Sequence, residues 1–203
     1  SFTGGNDLDI HIANKRFMTE FGKDTETRSG LPVASMPFWE AIAINDVEAQ
    51  RRFYARNNIN ELKQIQRDAQ QPDKLARLID VYENILGYSL VAEAEQTKIA
   101  LSKTSEYMAS IDLPSEQLQI PVTADAMEKA IHMPVRRIKK LVAETIAQAS
   151  VKPDVVYITG GSSRSPILRK AVQEAVGDIP LANGDYFGSV TAGLARWADM
   201  CFK

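Results

Sequence analysis

The segment that most restricts the fold is Val155-Val156-Tyr157-Ile158, followed at once by Thr159-Gly160-Gly161-Ser162-Ser163-Arg164-Ser165-Pro166. An apolar run of strand length ends on a glycine turn, a helix follows from about Pro166 to Val176, and Ile179 to Ala182 reads as a second short strand. Strand, helix and strand at this spacing make a parallel crossover unit, with Val155 to Ile158 as its buried strand. Open α/β sheets take their ligands at the carboxyl ends of strands. Glycines there let a backbone approach a ligand, and the free N–H groups of a helix start favour an anion. Arg164 adds a planar cation able to stack on an aromatic base or fork onto phosphate. Two glycines after a strand also serve simply as a tight turn, and neither GxxxxGK nor GxGxxG is present.

The remainder is mostly helical. Asn6 or Asp7 reads as the N-cap of a first amphipathic helix carrying Leu8, Ile12, Phe17 and Phe21, with Gly22 as its stop. Lys23 to Pro37 has no sustained period and reads as a loop. Past the aromatic pair Phe38-Trp39, Asn45-Asp46 opens a polar helix to about Asn57, and another follows over Ile59 to Ala69. Leu75, Leu78, Ile79, Tyr82, Ile85, Leu86 and Leu90 then recur at three and four. That stripe predicts one helix from Pro72 to as far as Lys103, with Gly87 weakening its middle by about 1 kcal/mol relative to alanine. Tyr107 to Leu113 and Leu118 to Val122 form a hairpin. Thr123 caps a short helix, and Pro134 opens another with Val135, Ile138, Leu141, Val142 and Ile146 facing inward. A last helix fills Phe187 to about Phe202.

Composition removes several function classes. The 203 residues carry 24 Lys+Arg against 26 Asp+Glu, a net charge of −2, which gives no general electrostatic reason to bind nucleic acid or an acidic membrane. No apolar run reaches the roughly 18 residues of a membrane span, and no signal-peptide layout opens the chain. Cys201 stands alone, so a disulfide framework and a cysteine zinc site are excluded within the chain, and it reads as a small buried apolar residue. His11 and His132 are too far apart in sequence for a His-rich metal centre; His132 reads as lying near a helix end. Arg136-Arg137 and Lys139-Lys140 read as a solvated helix face. Ser1 opens the chain and the first methionine is Met18, as expected of a truncated piece.

A second constellation stands on the helix before the hairpin. Glu95, Lys98 and Ser102 lie at i, i+3 and i+7, within roughly 60° of arc on one helix face. A carboxylate, an ammonium and a hydroxyl in a row suit a ribose and its neighbouring phosphate. The same spacing also gives an ordinary solvated Glu–Lys pair.

In order along the chain, Gly4-Gly5-Asn6-Asp7-Leu8-Asp9, Glu95-x-x-Lys98-x-x-Leu101-Ser102 and Gly160-Gly161-Ser162-x-Arg164-x-Pro166 resemble the seventy-kilodalton heat-shock chaperone ATPases of the DnaK type, within the actin and sugar-kinase superfamily. The resemblance covers Thr3 to about Gly22, then about Leu90 to the C-terminus. Further runs, Ala43-Ile44-Asn45-Asp46-Val47 and Phe187-Gly188-Ser189-Val190-Thr191-Ala192-Gly193-Leu194-Ala195-Arg196-Trp197-Ala198, are similar to a branch of short relatives, the YegD type.

The resemblance implies an α/β fold, the second lobe of an actin-like, ribonuclease H-like ATPase domain. Residues 1–120 would form a largely helical upper subdomain with inserted helices over about 23–90, and residues 121–203 a lower subdomain carrying the adenosine loop. It implies ATP or ADP as ligand. Glu95 and Lys98 would hold the ribose hydroxyls, Ser102 would approach the base, Gly160, Gly161, Ser162 and Arg164 would wrap the adenosine, Gly4 and Gly5 would border the phosphates, and Asp185 would complete the adenine pocket. Ile99 stands where the DnaK type has arginine, which removes one cation partner of the adenine, worth on the order of 1 kcal/mol.

The family's phosphate loops contain Gly-Thr, and no Gly-Thr dipeptide occurs here. Phosphoryl transfer and its Mg2+ would therefore need a first lobe absent from this chain, which alone is not expected to be an enzyme, while its parent would be an ATPase. The expected setting is cytoplasmic, with unfolded protein or a co-chaperone as further partners. A missing set of sheet strands would leave an edge through which the fragment self-associates. Two other readings stand beside this one. The stretch Phe38 to Leu86 would be a nucleotide-regulated docking module anchored by Trp39, Phe53 and Tyr54, or the chain would be a lobe of a metabolite kinase of the same superfamily.

Overall fold

A computed structural model describes residues 4–184 and 188–202. The chain forms two compact units, one over Asn6–Ile131 and the other from His132 onward together with the residues through Gly5.

The first unit begins with α1 (Gly5–Ile12), which widens into a π-turn over Ala13–Phe17 and tightens into a 3-10 turn over Met18–Phe21. Leu8, Ile12, Phe17 and Phe21 are all fully buried, and Gly22 ends the segment at φ 98°, a left-handed conformation suited to glycine. The expected N-cap is corrected: Asn6 and Asp7 lie inside α1, which starts at Gly5. Lys23 to Ser35 is a loop pinned by bridges of Glu26 to Pro32 and Thr27 to Ala69.

Short helices α2 (Met36–Ile42), α3 (Val47–Phe53) and α4 (Asn58–Asp68) follow. Asp46 caps α3 by accepting from the Ala49 amide at 3.0 Å, and α3 ends at Phe53, short of the expected Asn57. Phe53 is fully buried, with the rings of Tyr54 and Tyr82 5.0 and 5.9 Å away, and Trp39 meets His11 edge-on at 5.5 Å.

The single long helix predicted from Pro72 is two, α5 (Pro72–Asn84) and α6 (Gly87–Leu101). Ile85 separates them at φ 55°, a left-handed position rare for a β-branched residue, and its side chain is 65% exposed instead of joining the stripe. Gly87 has a packing reason to be glycine, since a Cβ there would run into the Ala41 carbonyl oxygen. The hairpin is present as β1 (Glu106–Asp112) and β2 (Gln117–Thr123), antiparallel, with Tyr107 opposite Val122 and Ile111 opposite Leu118. Strict alternation in β2 buries Leu118, Ile120 and Val122.

Thr123 accepts from the Ala126 amide at 3.2 Å and starts α7 (Ala124–Gln148). Pro134 does not open a new helix; it lies within α7, where its ring removes one amide donor without ending the run. His132 is accordingly mid-helix. Val135, Ile138, Val142 and Ile146 are half-buried, and Leu141 is exposed rather than inward-facing.

In the second unit β3 (Val156–Ile158) and β4 (Leu181–Asn183) pair in parallel around α8 (Pro166–Val176), as a crossover unit requires. The expected burial of the strand is corrected: Val155 and Tyr157 are exposed and Val156 and Ile158 half-buried. α9 (Ser189–Cys201) closes the described chain, and the expected start at Phe187 lies outside the described residues. Cys201 is exposed, not buried, as are Val190, Leu194, Trp197 and Met200 along the same helix. No helix among the described residues is long and apolar enough to cross a membrane.

Candidate functional site

In the first unit the site residues ride on α6. Its buried face, Leu90, Val91, Ala94, Thr97 and Leu101, fixes the helix and turns Glu95 outward. Thr97 donates to the Glu93 carbonyl at 2.8 Å, so this polar residue sits on the buried face without an orphaned hydroxyl. Ile99 is 45% exposed beside Lys98. Ser102 follows as the C-terminal flanking residue, and its hydroxyl donates to the Ile99 carbonyl at 2.6 Å.

Lys98 is engaged in a way that spacing alone does not foresee. Its ammonium donates to Asp9 Oδ2 at 2.9 Å and lies 2.7 Å from Oδ1, with the two side chains only 11% and 3% exposed. Asp9 stands on α1 among the buried Leu8, Ile10 and Ile12, so the pair ties α1 to α6. Burial pushes the Asp9 carboxyl up to about 6; the Lys98 hydrogen bond and charge oppose that rise, and the Glu95 charge adds to it. Near neutral pH the carboxyl is therefore still mostly ionised, and a buried ion pair faces an exposed carboxylate. In the sequence Asp9 is legible only as part of the opening acidic motif; its partner lies 89 residues away.

Gly5 is the first residue of α1 and Gly4 precedes it. Asp7 in that first turn accepts from Asn45 Nδ2 at 3.1 Å.

In the second unit the loop after β3 takes the form its glycines allow. Gly160 stands at φ 90°, and a Cβ there would meet nothing, so the requirement is conformational. Gly161–Arg164 make a 3-10 turn that contains Ser162. Ser163 is buried and locks the turn, its amide and hydroxyl both donating to the Gly160 carbonyl at 3.1 and 2.6 Å. Arg164 is exposed at the end of that turn, and Pro166 fixes the first turn of α8. Gly184 closes the strand end by donating to the Ile158 carbonyl at 3.1 Å. Asp185 lies outside the described residues.

The arrangement offers an exposed carboxylate beside a pinned ammonium on one unit and a glycine turn with a guanidinium on the other. The α6 pair by itself suits a polyol, and the glycine turn with its guanidinium by itself suits an aromatic or anionic group. Among the described residues no three His, Cys, Asp or Glu side chains stand together as a metal cluster.

Comparison with known proteins agrees with the motifs. Residues 65–200 match the Hsp70 protein family, a span that includes both α6 and the glycine turn. The chain is 32% identical over 146 residues to a "Chaperone protein HscA homolog" of Shewanella sp. (strain ANA-3), covering 67% of this chain and 22% of that protein. It is 30% identical over 105 residues to a heat shock protein homolog of Lachancea kluyveri, covering 49% of this chain and 15% of that protein. Similarity to "Chaperone protein DnaK" of Deinococcus deserti is 32% over 119 residues, 52% of this chain and 19% of the relative. The chain thus spans about a fifth or less of the length of these relatives. An Hsp70 match implies an actin-like ATPase fold, with which the mixed helices and small sheets are consistent. The chain belongs to the Hsp70 protein family.

Proposed function

We propose that this chain is the adenosine-binding second lobe of an Hsp70-type ATPase domain, of the short YegD type, acting in a cytoplasmic chaperone-like protein. Residues 1–120 serve as the upper subdomain and residues 121–203 as the lower. Glu95 and Lys98 take the ribose hydroxyls of ATP or ADP, Ser102 approaches the base, and Gly160, Gly161, Ser162 and Arg164 wrap the adenosine, with the Arg164 guanidinium against the adenine face. Gly4 and Gly5 border the phosphates and Asp185 completes the adenine pocket. Mg2+ and the attack on the terminal phosphate belong to groups this chain does not carry, so its own residues bind and orient the nucleoside. Unfolded protein and a co-chaperone are the partners of the whole protein in this reading.

The observation that carries it is the placement of both adenosine motifs, in order, inside the span that matches the family. The pinned Lys98 adds support, because a buried ion pair is a costly local arrangement with a ready use at a nucleotide site, and the left-handed Gly160 gives the turn a conformation that other residues rarely adopt. Calorimetry of ADP with the full-length protein tests the reading. Arg164→Ala should weaken binding about tenfold by removing a stacked cation. Ile99→Arg should tighten it severalfold by restoring the second. Unchanged affinity in both variants would overturn the assignment.

A further inference from the structure

We infer that Asp9 is a positioning residue of the nucleotide site, acting through Lys98 to fix which sugar the site accepts. The inference rests on the proposed function, and it assigns a role to a residue that no motif spacing connects to the ligand.

A lysine side chain is a flexible stem with a compact charge and three donors, and ordering it on a ligand costs entropy. Here that ordering has already been done by the protein. The Lys98 ammonium has one N–H aligned on Asp9 Oδ2 at 2.9 Å, with Oδ1 a further 2.7 Å contact, and only 11% of the lysine side chain remains exposed. The carboxylate comes from α1, so the position of the ammonium is set by the packing of α1, whose Leu8, Ile10 and Ile12 are buried on either side of Asp9. Glu95, one turn back on α6, stays exposed and presents its carboxylate on the open side.

Two consequences follow for a bound ribose. First, the ammonium cannot swing out to follow a phosphate, since doing so would leave a buried carboxylate without its cation. Its remaining N–H groups point from a fixed place, as pre-organised recognition of a hydroxyl demands. Second, a site whose donor and acceptor are both fixed penalises a ligand that lacks the hydroxyl they await, because the polar groups are then left unpaired. Sugar selectivity is therefore the property that Asp9 controls, more than overall affinity.

The test compares ADP with 2′-deoxy-ADP and 3′-deoxy-ADP by calorimetry on the full-length protein, in wild type, Asp9→Asn, Lys98→Met and the double variant. The wild type should prefer the ribonucleotide over at least one deoxy analogue. Asp9→Asn should cut that preference about tenfold, to near the level of Lys98→Met, and adding it to Lys98→Met should change nothing further. A merely structural Asp9 would lower the melting temperature and leave the ribose-to-deoxyribose ratio in place, which would overturn the inference. If Asp9→Asn does not fold, carboxyl-carbon NMR of the wild type decides. ADP should displace the Asp9 resonance more than 2′- or 3′-deoxy-ADP does, and equal displacement by all three counts against the role. A wild type that binds no adenine nucleotide at all would instead remove the proposed function on which the inference stands.

Discussion

The two compact units of this chain treat their apolar residues very differently. In Asn6–Ile131, phenylalanines 17, 21, 38 and 53 are fully enclosed together with Leu8, Ile10, Ile12, Ile42, Leu62, Leu75 and Leu78. In the unit from His132 onward, the buried apolar residues among those described are Pro134 on α7 and Leu168, Ala171, Val176 and Ile179, on α8 and just after it. Tyr157 on β3 and Val190, Leu194, Trp197 and Met200 on α9 are all exposed. Apolar periodicity reports which residues could be buried; what lies against them decides whether they are. The first unit has a packed interior able to set a side chain such as Lys98 in place, whereas the second presents its glycine turn on a scaffold with a much thinner core.

This contrast predicts opposite responses to substitution. The largest effect is expected from Gly87→Ala. Helix propensity alone favours alanine by about 1 kcal/mol, but the added methyl would strike the Ala41 carbonyl oxygen and crowd the Tyr54 hydroxyl. Urea unfolding should show a net loss of roughly 3 kcal/mol, the cost of overpacking against backbone. A stabilised variant would show that the first unit is less tightly packed than described.

A middle-sized effect is expected from pH. Asp9 holds its proton up to about 6 in the folded protein, against 3.8 for an unburied carboxyl, with Lys98 and Glu95 as the charged groups facing it. The folded state thus binds the extra proton first as pH falls. Its contribution to stability is full below about 3.8 and is lost as pH rises through about 6. Urea midpoints should show the wild type gaining on Asp9→Asn between about pH 7 and pH 4, by on the order of 2 kcal/mol. A difference between the two proteins that does not vary with pH would contradict the burial of the ionised carboxyl.

The smallest effect belongs to the second unit. Trp197 is 65% exposed, so Trp197→Ala should move the unfolding free energy by no more than about 0.5 kcal/mol. A loss of several kcal/mol would mean that α9 is covered in solution and that the contrast between the units is weaker.

What is legible in the sequence follows the same division. The hairpin is readable because β2 alternates strictly, and α8 because proline, periodic leucine and valine, and Gly177 punctuate it. The break at Ile85 is not, since a β-branched residue in the left-handed region contradicts local preference. The run of α7 through Pro134 is hidden for a related reason: one lost hydrogen bond in a helix this long is offset by its neighbours. Cys201 and the strand before Gly160 read as buried from their apolar character, yet Cys201 is exposed and only Val156 and Ile158 of the strand are half-buried. At the site, Glu95, Lys98 and the glycine turn can be picked out by spacing. Asp9 cannot be paired with Lys98 in that way, because contacts across 89 residues leave no period in a sequence.

The proposed function assigns adenine-nucleotide contacts to α6 and, separately, to the turn after β3. Hydrogen exchange of the full-length protein with and without ADP addresses it most directly. Exchange should slow in two separate stretches, about Glu95 to Lys103 and about Thr159 to Ser165, with α4 unaffected. Protection confined to one stretch or to α4, or no protection at saturating ADP, would contradict it.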